Sequence, residues 1–539
     1  MQSKFIRGTF FLTAATLISK ILGFIYIIPF TALVGTKGFA LYGYAYGPYT
    51  VLLSISTIGL PLAVSKFVAK YNELGNYRAG LTLLKYGMYL MIFSGGVSFL
   101  VLYTLAPVLA ETVVGANESS GNTVEDVQSV IRLVSFALLI IPPMSIFRGY
   151  FQGSQSMGPS AMSTVVEQVV RIAFILAGAY LIIHVFEGTV ANAVGAAVFA
   201  AFAGGAAAIS VLLFSFIKRR GVIKRQRDES THNKDLPIFS IIKELTGYAI
   251  PFVITGLAIP IYQNIDIFTI NELFVSAGYT LGEAETINSV MRMSLILVMV
   301  PLSLATAFGM SLIPEITSAY TRGKAKEVNS QISQSMLVMM FFTLPAGIGL
   351  SILGKPVYTM IFGTGNSPEL GGFVLQWYAP AAVVLALFTL TAAIMQGINQ
   401  QKKLIIGITI GVLVKIFLNL TLVGSLEVAG PIIATYMGFS VSIIFNVYMI
   451  KKGVGFKVAP FLHSLREVAL LVMVMGLAVW GVKALVELWL PASIGDFYGS
   501  VIISIISIIA GLLVYLGGGV RMRSVRNLFM SIKNDSFSA

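Results

Sequence analysis

The chain has 539 residues, of which 56% are hydrophobic and only 11% are charged; its net charge is +13 and it contains no cysteine. About a quarter of the residues of soluble domains are charged, so this composition excludes a soluble globular protein. The lack of cysteine also excludes disulfides and thiolate metal sites.

Hydrophobic blocks of roughly 20 residues, the length that crosses ~30 Å of hydrocarbon, follow one another along the chain. They predict an all-α, polytopic membrane protein of about fourteen transmembrane helices. The first block continues past Lys20 and is too long for a cleaved signal peptide. The predicted helices lie at 8–34, 43–66, 81–109, 127–147, 160–185, 191–217, 246–271, 289–313, 332–354, 372–396, 404–424, 428–450, 467–489 and 498–518.

A weak internal repeat indicates two lobes. Phe151-Gln152-Gly153 matches Met395-Gln396-Gly397, and Val170-Arg171-Ile172 matches Val414-Lys415-Ile416 at the same spacing. Six helices per lobe would make these parallel repeats, related by an axis along the membrane normal, which is a known transporter plan. The predicted parts are an N-terminal lobe (1–217), a basic cytoplasmic linker (218–245), a C-terminal lobe (246–450), two extra helices (467–518) and a basic cytoplasmic tail (519–539).

The distribution of basic residues predicts the orientation. The segments 111–126 and 273–288 contain no Lys or Arg, whereas the linker and the tail are rich in both. Because cytoplasmic loops carry the excess of Lys and Arg, both termini are predicted to be cytoplasmic. The same distribution accounts for the net charge without a nucleic-acid partner.

Three basic residues, Lys20, Arg171 and Lys415, fall near the middle of predicted helices one, five and eleven. A cation at the bilayer centre costs about 2.5–3.5 kcal/mol even on the insertion scale. We therefore predict that these side chains line a water-filled cavity between the lobes and bind an anionic substrate. For Arg171 a structural ion pair with Glu167, four residues away on the same helix face, is an equally weighted alternative. Glu167 is also counted among the predicted substrate-binding residues.

Asp266 and Arg292 lie near the outer ends of helices seven and eight, where they would form either an outer gate or a structural bridge. The three histidines, His184, His232 and His463, form no ligand cluster, so no metal site is predicted. No catalytic constellation and no phosphate-binding loop is visible, so neither an enzyme nor a cofactor is predicted.

Four segments resemble the flippases of the multidrug/oligosaccharidyl-lipid/polysaccharide exporter superfamily, in particular its branch of stage V sporulation protein B and the lipid II flippases of Gram-positive bacteria. These segments are LISKILG (17–23), GLPLAVSK (59–66), RGYFQG (148–153) and LIPE (312–315). The resemblance covers the whole chain. It implies a two-lobed helical bundle whose central cationic cavity moves lipid-linked sugar precursors from the inner to the outer leaflet.

In that branch, basic residues of helices one, two and eight meet the pyrophosphate of the substrate. By this resemblance Lys20 is the helix-one residue and Arg292 the helix-eight counterpart. The chain departs from the pattern in helix two, whose only basic residue is Lys66 at its inner end, and near Tyr26, which replaces a second basic residue of helix one. Arg171 is expected to compensate, together with Lys415.

The resemblance and the midplane cations together predict a flippase, not an enzyme. Its expected substrate is a polyprenyl-pyrophosphate-linked saccharide, the peptidoglycan precursor lipid II, which it would carry across the bacterial cell membrane by alternating access. The membrane potential or an ion gradient is the expected driving force, and cell-wall synthesis proteins are the candidate partners.

Two alternatives remain. A cation-coupled multidrug exporter of the same superfamily is disfavoured because only Glu167 and Asp266 offset the bases of the membrane interior. A membrane-embedded transferase of lipid-linked sugars is disfavoured because the outer loops are too short to hold catalytic groups.

Overall fold

The computed structural model describes residues 15–16, 18–57, 59–114, 121–228, 238–491 and 493–521, and over these residues the fold is all-α. The predicted start of helix one, residues 229–237 of the linker and the tail beyond residue 521 lie outside the described residues. The helices are α1 Ile18–Thr57, α2 Leu60–Glu73, α3 Tyr77–Val114, α4 Val124–Ser135, α5 Ala137–Gly153, α6 Met157–Tyr180, α7 Val190–Lys218, α8 Arg220–Asp228, α9 Ile238–Ser276, α10 Leu281–Thr321, α11 Ala325–Ile352, α12 Gly354–Phe362, α13 Pro368–Tyr378, α14 Ala381–Gly397, α15 Gln401–Leu426, α16 Ala429–Val454, α17 Val458–Trp489 and α18 Asp496–Arg521.

The prediction of a polytopic membrane protein is confirmed. In the described part, 11 helices are long and apolar enough to cross a membrane, or 12 if α13 and α14, which meet at 42°, form one span. The count of fourteen stays a prediction. Part of the difference lies in α1, which counts once although its backbone breaks at Gly35 (φ 66°), between predicted helices one and two.

The predicted helix at 43–66 is wrong in its extent, because one helix ends and another begins inside it. α1 ends at Thr57, and α2 begins at Leu60 after Gly59, whose φ of 57° is left-handed. Glycine adopts that conformation without a steric penalty, and Pro61 suits the first turn of the helix that follows. Hydropathy does not detect this break because the residues on both sides are apolar.

The chain folds as two compact units. Unit 1 contains the residues up to Glu272 together with Thr280–Glu285, and unit 2 contains Leu273–Tyr279 and the residues from Thr286 onward. The lobe boundaries predicted from the sequence stay a prediction.

In unit 1, α5 packs directly against α2. A Cβ atom at Gly149 would lie 2.4 Å from the Pro61 carbonyl oxygen, and one at Gly153 would lie 2.4 Å from the Ser65 carbonyl oxygen. Only glycine permits such a close approach of two backbones. The segments 59–66 and 148–153, which carry the family resemblance, are therefore packing partners.

The repeated motif ends in the same turn in each unit. α5 and α14 are each 17 residues long, and the residues with positive φ that follow them are Gln155 (54°) and Asn399 (56°). The Ser156 amide donates to the Phe151 carbonyl at 2.9 Å, and the Gln400 amide donates to the Met395 carbonyl at 2.8 Å. These turns place Arg171 and Lys415 at corresponding positions of α6 and α15.

Candidate substrate-binding site

The guanidinium of Arg171 lies against a tyrosine of unit 1. It projects from α6, is half-buried, and its Nη2 donates a hydrogen bond to the hydroxyl of Tyr46 on α1. Its Cζ lies 5.3 Å from the centre of the Tyr46 ring, within the range of a cation–π contact. Arg171 is therefore held by the hydroxyl and the ring of a tyrosine.

Two further tyrosines contact Tyr46, and a third is linked to one of them. Its ring stacks on Tyr42 with 4.4 Å between centroids and meets Tyr49 edge-on at 5.3 Å. The Tyr26 hydroxyl lies 3.1 Å from the Tyr42 hydroxyl. We call Tyr26, Tyr42, Tyr46 and Tyr49 the tyrosine cluster. Tyr26, near which the resemblance predicts a second basic residue of helix one, thus belongs to the surroundings of Arg171.

The carboxylate of Glu167 binds a different arginine. Its Oε2 lies 2.7 Å from Nη2 of Arg148, and the two side chains are 16% and 19% exposed. The Nε of Arg148 also donates to the Ser163 hydroxyl at 2.8 Å. Glu167 therefore pairs with a residue of α5. The predicted structural ion pair between Glu167 and Arg171 is not what holds Arg171 in this structure.

Lys20 is exposed on α1, at a turn that packs on α6. The Ser19 hydroxyl donates to the Thr164 carbonyl at 3.3 Å, and a Cβ atom at Gly23 would lie 3.0 Å from Nε2 of Gln168. Thr164 and Gln168 lie in the two turns of α6 before Arg171. Unit 1 therefore places two of the predicted cations on neighbouring helices.

Lys415 has a different environment in unit 2. Its side chain is fully buried, and its Nζ donates to the Thr435 hydroxyl of α16 at 2.6 Å. That hydroxyl in turn donates to the Pro431 carbonyl at 2.9 Å. A buried ammonium needs such polar partners. Its contact with substrate stays a prediction.

The remaining predicted site residues lie in different units. Asp266 is half-buried on α9 in unit 1, and Arg292 is half-buried on α10 in unit 2. An outer gate between them stays a prediction, as does the binding of substrate by Arg292. In the part of the chain that the structure describes, no three His, Asp or Glu side chains form a group that could hold a metal ion.

The sequence profile of the family described as "Polysaccharide biosynthesis protein" matches residues 5–320. A protein of Bacillus subtilis (strain 168) named Lipid II flippase MurJ is 41% identical over 523 residues, which cover 97% of this chain and 96% of that protein. The chain belongs to the polysaccharide biosynthesis protein family. The resemblance stated from the sequence is thereby confirmed.

Two solved structures have the fold of this family member. One, described as "Lipid II flippase MurJ, inward closed conformation", is 17% identical, has a TM-score of 0.63 and covers 94% of this chain and 98% of its own. The other, an inward-facing multidrug resistance MATE family transporter of the MOP superfamily, is 16% identical, has a TM-score of 0.62 and covers 80% of this chain and 94% of its own. At these identities the likeness concerns the fold alone.

The tyrosine cluster of this family member was not predicted from the sequence, although a signal for it exists. Tyr42, Tyr46 and Tyr49 are spaced four and three residues apart, which places them on one face of a helix. A row of tyrosines on a membrane helix is also common where the rings only pack against neighbouring helices. The contact with Arg171 on another helix is what distinguishes this cluster from such packing, and the sequence does not show that contact.

Proposed function

We propose that this chain is a lipid II flippase, a transporter that moves the peptidoglycan precursor from the inner to the outer leaflet of the bacterial cell membrane. The observation that carries the proposal is the 41% identity to the Bacillus subtilis protein named Lipid II flippase MurJ, over nearly the full length of both chains. No covalent step is part of this proposal. The protein acts in cell wall biogenesis and cell shape, alongside cell-wall synthesis proteins.

The chemistry of unit 1 supports an anionic substrate. The hydroxyl of Tyr46 brings no counter-charge to the guanidinium of Arg171, and the carboxylate of Glu167 is already paired with Arg148. A guanidinium presents a planar fork of donors that matches phosphate oxygens. We propose that Arg171 binds the pyrophosphate and that Lys20, on the adjoining helix, adds a second positive charge.

Transport proceeds by alternating access, with the polyprenyl tail left in the lipid. Both termini lie in the cytoplasm, so the substrate's negative charges move outward along an inside-negative potential. Each charge gains about 2.3 kcal/mol per 100 mV in that direction. An ion gradient is the alternative source of energy. Lys415 meets the substrate only in a state that exposes its side chain, whereas Asp266 and Arg292 act near the outer opening.

Export of cationic drugs is the second candidate function. Its support is the fold, since the TM-score to the multidrug transporter, 0.62, is close to the 0.63 of the flippase structure. Cationic drugs need acidic groups in the cavity. The pairing of Glu167 with Arg148 leaves a positive site around Arg171, which favours the flippase.

The test is transfer of fluorescent lipid II between the leaflets of vesicles that contain the purified full-length protein. Neutralising Arg171 (Arg171→Gln) or Lys20 (Lys20→Gln) should slow transfer roughly 10- to 100-fold, since a hydrogen bond to a charged group contributes about 1.5–3 kcal/mol. The matched control is Lys402→Gln, which removes one exposed charge at the start of α15 and should leave the rate unchanged.

The same vesicles separate the alternatives. A flippase returns the lipid chemically unchanged, whereas a transferase changes its mass, and a drug exporter moves a cationic dye but not lipid II. Wild-type vesicles that fail to transfer lipid II would contradict the proposed function. Equal rates for wild type, Arg171→Gln and Lys20→Gln would contradict the assigned site.

A further inference from the structure

We infer that Tyr46 is a positioning residue: it fixes the guanidinium of Arg171 so that the remaining donors of that group receive the pyrophosphate of the substrate. This inference rests on the proposed function. Tyr46 itself need not touch the substrate.

The donors of Arg171 are only partly used. One of its five N–H groups donates to the Tyr46 hydroxyl, while its Nε is buried and has no hydrogen-bond partner. A buried donor without an acceptor is unfavourable, so such groups need an explanation in a folded protein. Since Nε is one arm of the donor fork, a phosphate oxygen that reaches it satisfies this group and makes the guanidinium bidentate.

Tyrosine suits this role better than a carboxylate. A carboxylate partner would neutralise Arg171 and compete with the phosphate for the same N–H groups. The phenol of Tyr46 accepts one hydrogen bond and offers its ring face, yet it leaves the positive charge in place. The arginine is therefore oriented but still electrostatically available to an anion.

The ring of Tyr46 is in turn held by its neighbours. Tyr42 stacks on it, Tyr49 meets its edge, and both of these rings are buried. Tyr42 is further linked to the Tyr26 hydroxyl. A ring held in this way orders the guanidinium before the substrate arrives, which lowers the entropic cost of binding.

The first measurement is equilibrium binding of polyprenyl pyrophosphate to the purified full-length protein in detergent, which does not require transport. Tyr46→Phe keeps the ring and removes the hydroxyl. It should weaken binding about fivefold, the effect of one ordinary hydrogen bond. The loss should be smaller for polyprenyl monophosphate, which occupies fewer donors. Unchanged affinity for the pyrophosphate would overturn the inference.

The matched control is Tyr103→Phe. Tyr103 also lies under an arginine of unit 1, with 5.0 Å between its ring centre and Cζ of Arg132, but on α3 and away from the tyrosine cluster. The same chemical change there should leave the affinity for polyprenyl pyrophosphate unchanged. An equal loss in both variants would overturn the inference, because it would show a general effect of losing a hydroxyl.

A double-mutant cycle distinguishes positioning from a structural role. In an Arg171→Lys background the donor fork is absent, so Tyr46→Phe should cause no further loss of affinity. If Tyr46 acts only through stability, the two losses add and the melting temperature falls equally in both backgrounds. The lipid II transfer assay tests the proposed function separately. If the wild type binds polyprenyl pyrophosphate and the variants lose affinity as described, but the wild type does not transfer lipid II, the proposed function is contradicted and the positioning role of Tyr46 is not.

Discussion

At the scale of single residues, the ion pair between Glu167 and Arg148 joins α6 to α5. Both side chains are less than one-fifth exposed, and Glu167→Gln would leave the Arg148 charge without its counter-ion. We expect this substitution to lower the free energy of unfolding by about 1–3 kcal/mol, as when a charged hydrogen bond is lost. Thermal unfolding in detergent measures the effect.

The control for that substitution is Glu327→Gln. Glu327 pairs with Arg322 at 3.3 Å and with Lys324 at 3.2 Å, but all three side chains are well exposed. Exposed ion pairs contribute little, so a change within about 0.5 kcal/mol is expected. Equal melting temperatures for Glu167→Gln and wild type would show that the Arg148 pair contributes no stability.

The sequence located the charged residues but not their partners. Arg171 binds Tyr46, which lies 125 residues away in the chain, and Glu167 binds a residue 19 positions away. The spacing rule for helices suggested only Glu167 as a partner for Arg171 because it considers only neighbours on one helix. A partner on another helix depends on how helices pack, and hydropathy carries no information about that packing.

At the scale of helices, α3 offers a direct test of close packing at two adjacent glycines. A Cβ atom at Gly95 would lie 2.4 Å from the Leu138 carbonyl oxygen of α5, whereas nothing lies within 4 Å of one at Gly96. Gly95→Ala should therefore destabilise the protein by about 1–3 kcal/mol through overpacking. Gly96→Ala should stabilise it by up to about 1 kcal/mol, since alanine is the better helix former.

Melting temperatures of the two glycine variants give the comparison. Both substitutions change helix propensity in the same way, so their difference isolates the contact between α3 and α5. If Gly95→Ala were as stable as Gly96→Ala, the two helices would not pack as closely as the structure indicates.

Helix centres were predictable, but helix ends were not. α3 runs over Tyr77–Val114 where hydropathy predicted 81–109, and α9 runs over Ile238–Ser276 where it predicted 246–271. A hydropathy window detects only the part of a helix that would lie in hydrocarbon. The turns beyond it carry polar residues and continue because backbone hydrogen bonds sustain them.

At the scale of the whole molecule, the two units share a repeated segment with different chemistry. The turns at Gln155 and Asn399 have the same form, and each precedes a helix that carries a basic residue sixteen positions later, about 24 Å along a helix. Arg171 meets a phenol and keeps an unpartnered Nε, whereas Lys415 is enclosed and bonded to Thr435. The two short sequence matches were enough to predict that Arg171 and Lys415 occupy corresponding positions in the chain. They could not predict the surroundings of either cation, because these surroundings are formed by residues outside the matched segments.

The orientation of the molecule can be tested because the chain has no cysteine, so an introduced cysteine is labelled without background. Gly221 lies in the basic helix α8 with nothing within 4 Å of its Cβ position, and Ser276 is exposed at the end of α9. Because basic segments stay in the cytoplasm, a membrane-impermeant maleimide should label Ser276→Cys in intact cells. It should label Gly221→Cys only after the membrane is permeabilised. The reverse pattern would invert the topology, and labelling of both from one side would mean that α9 does not cross the bilayer.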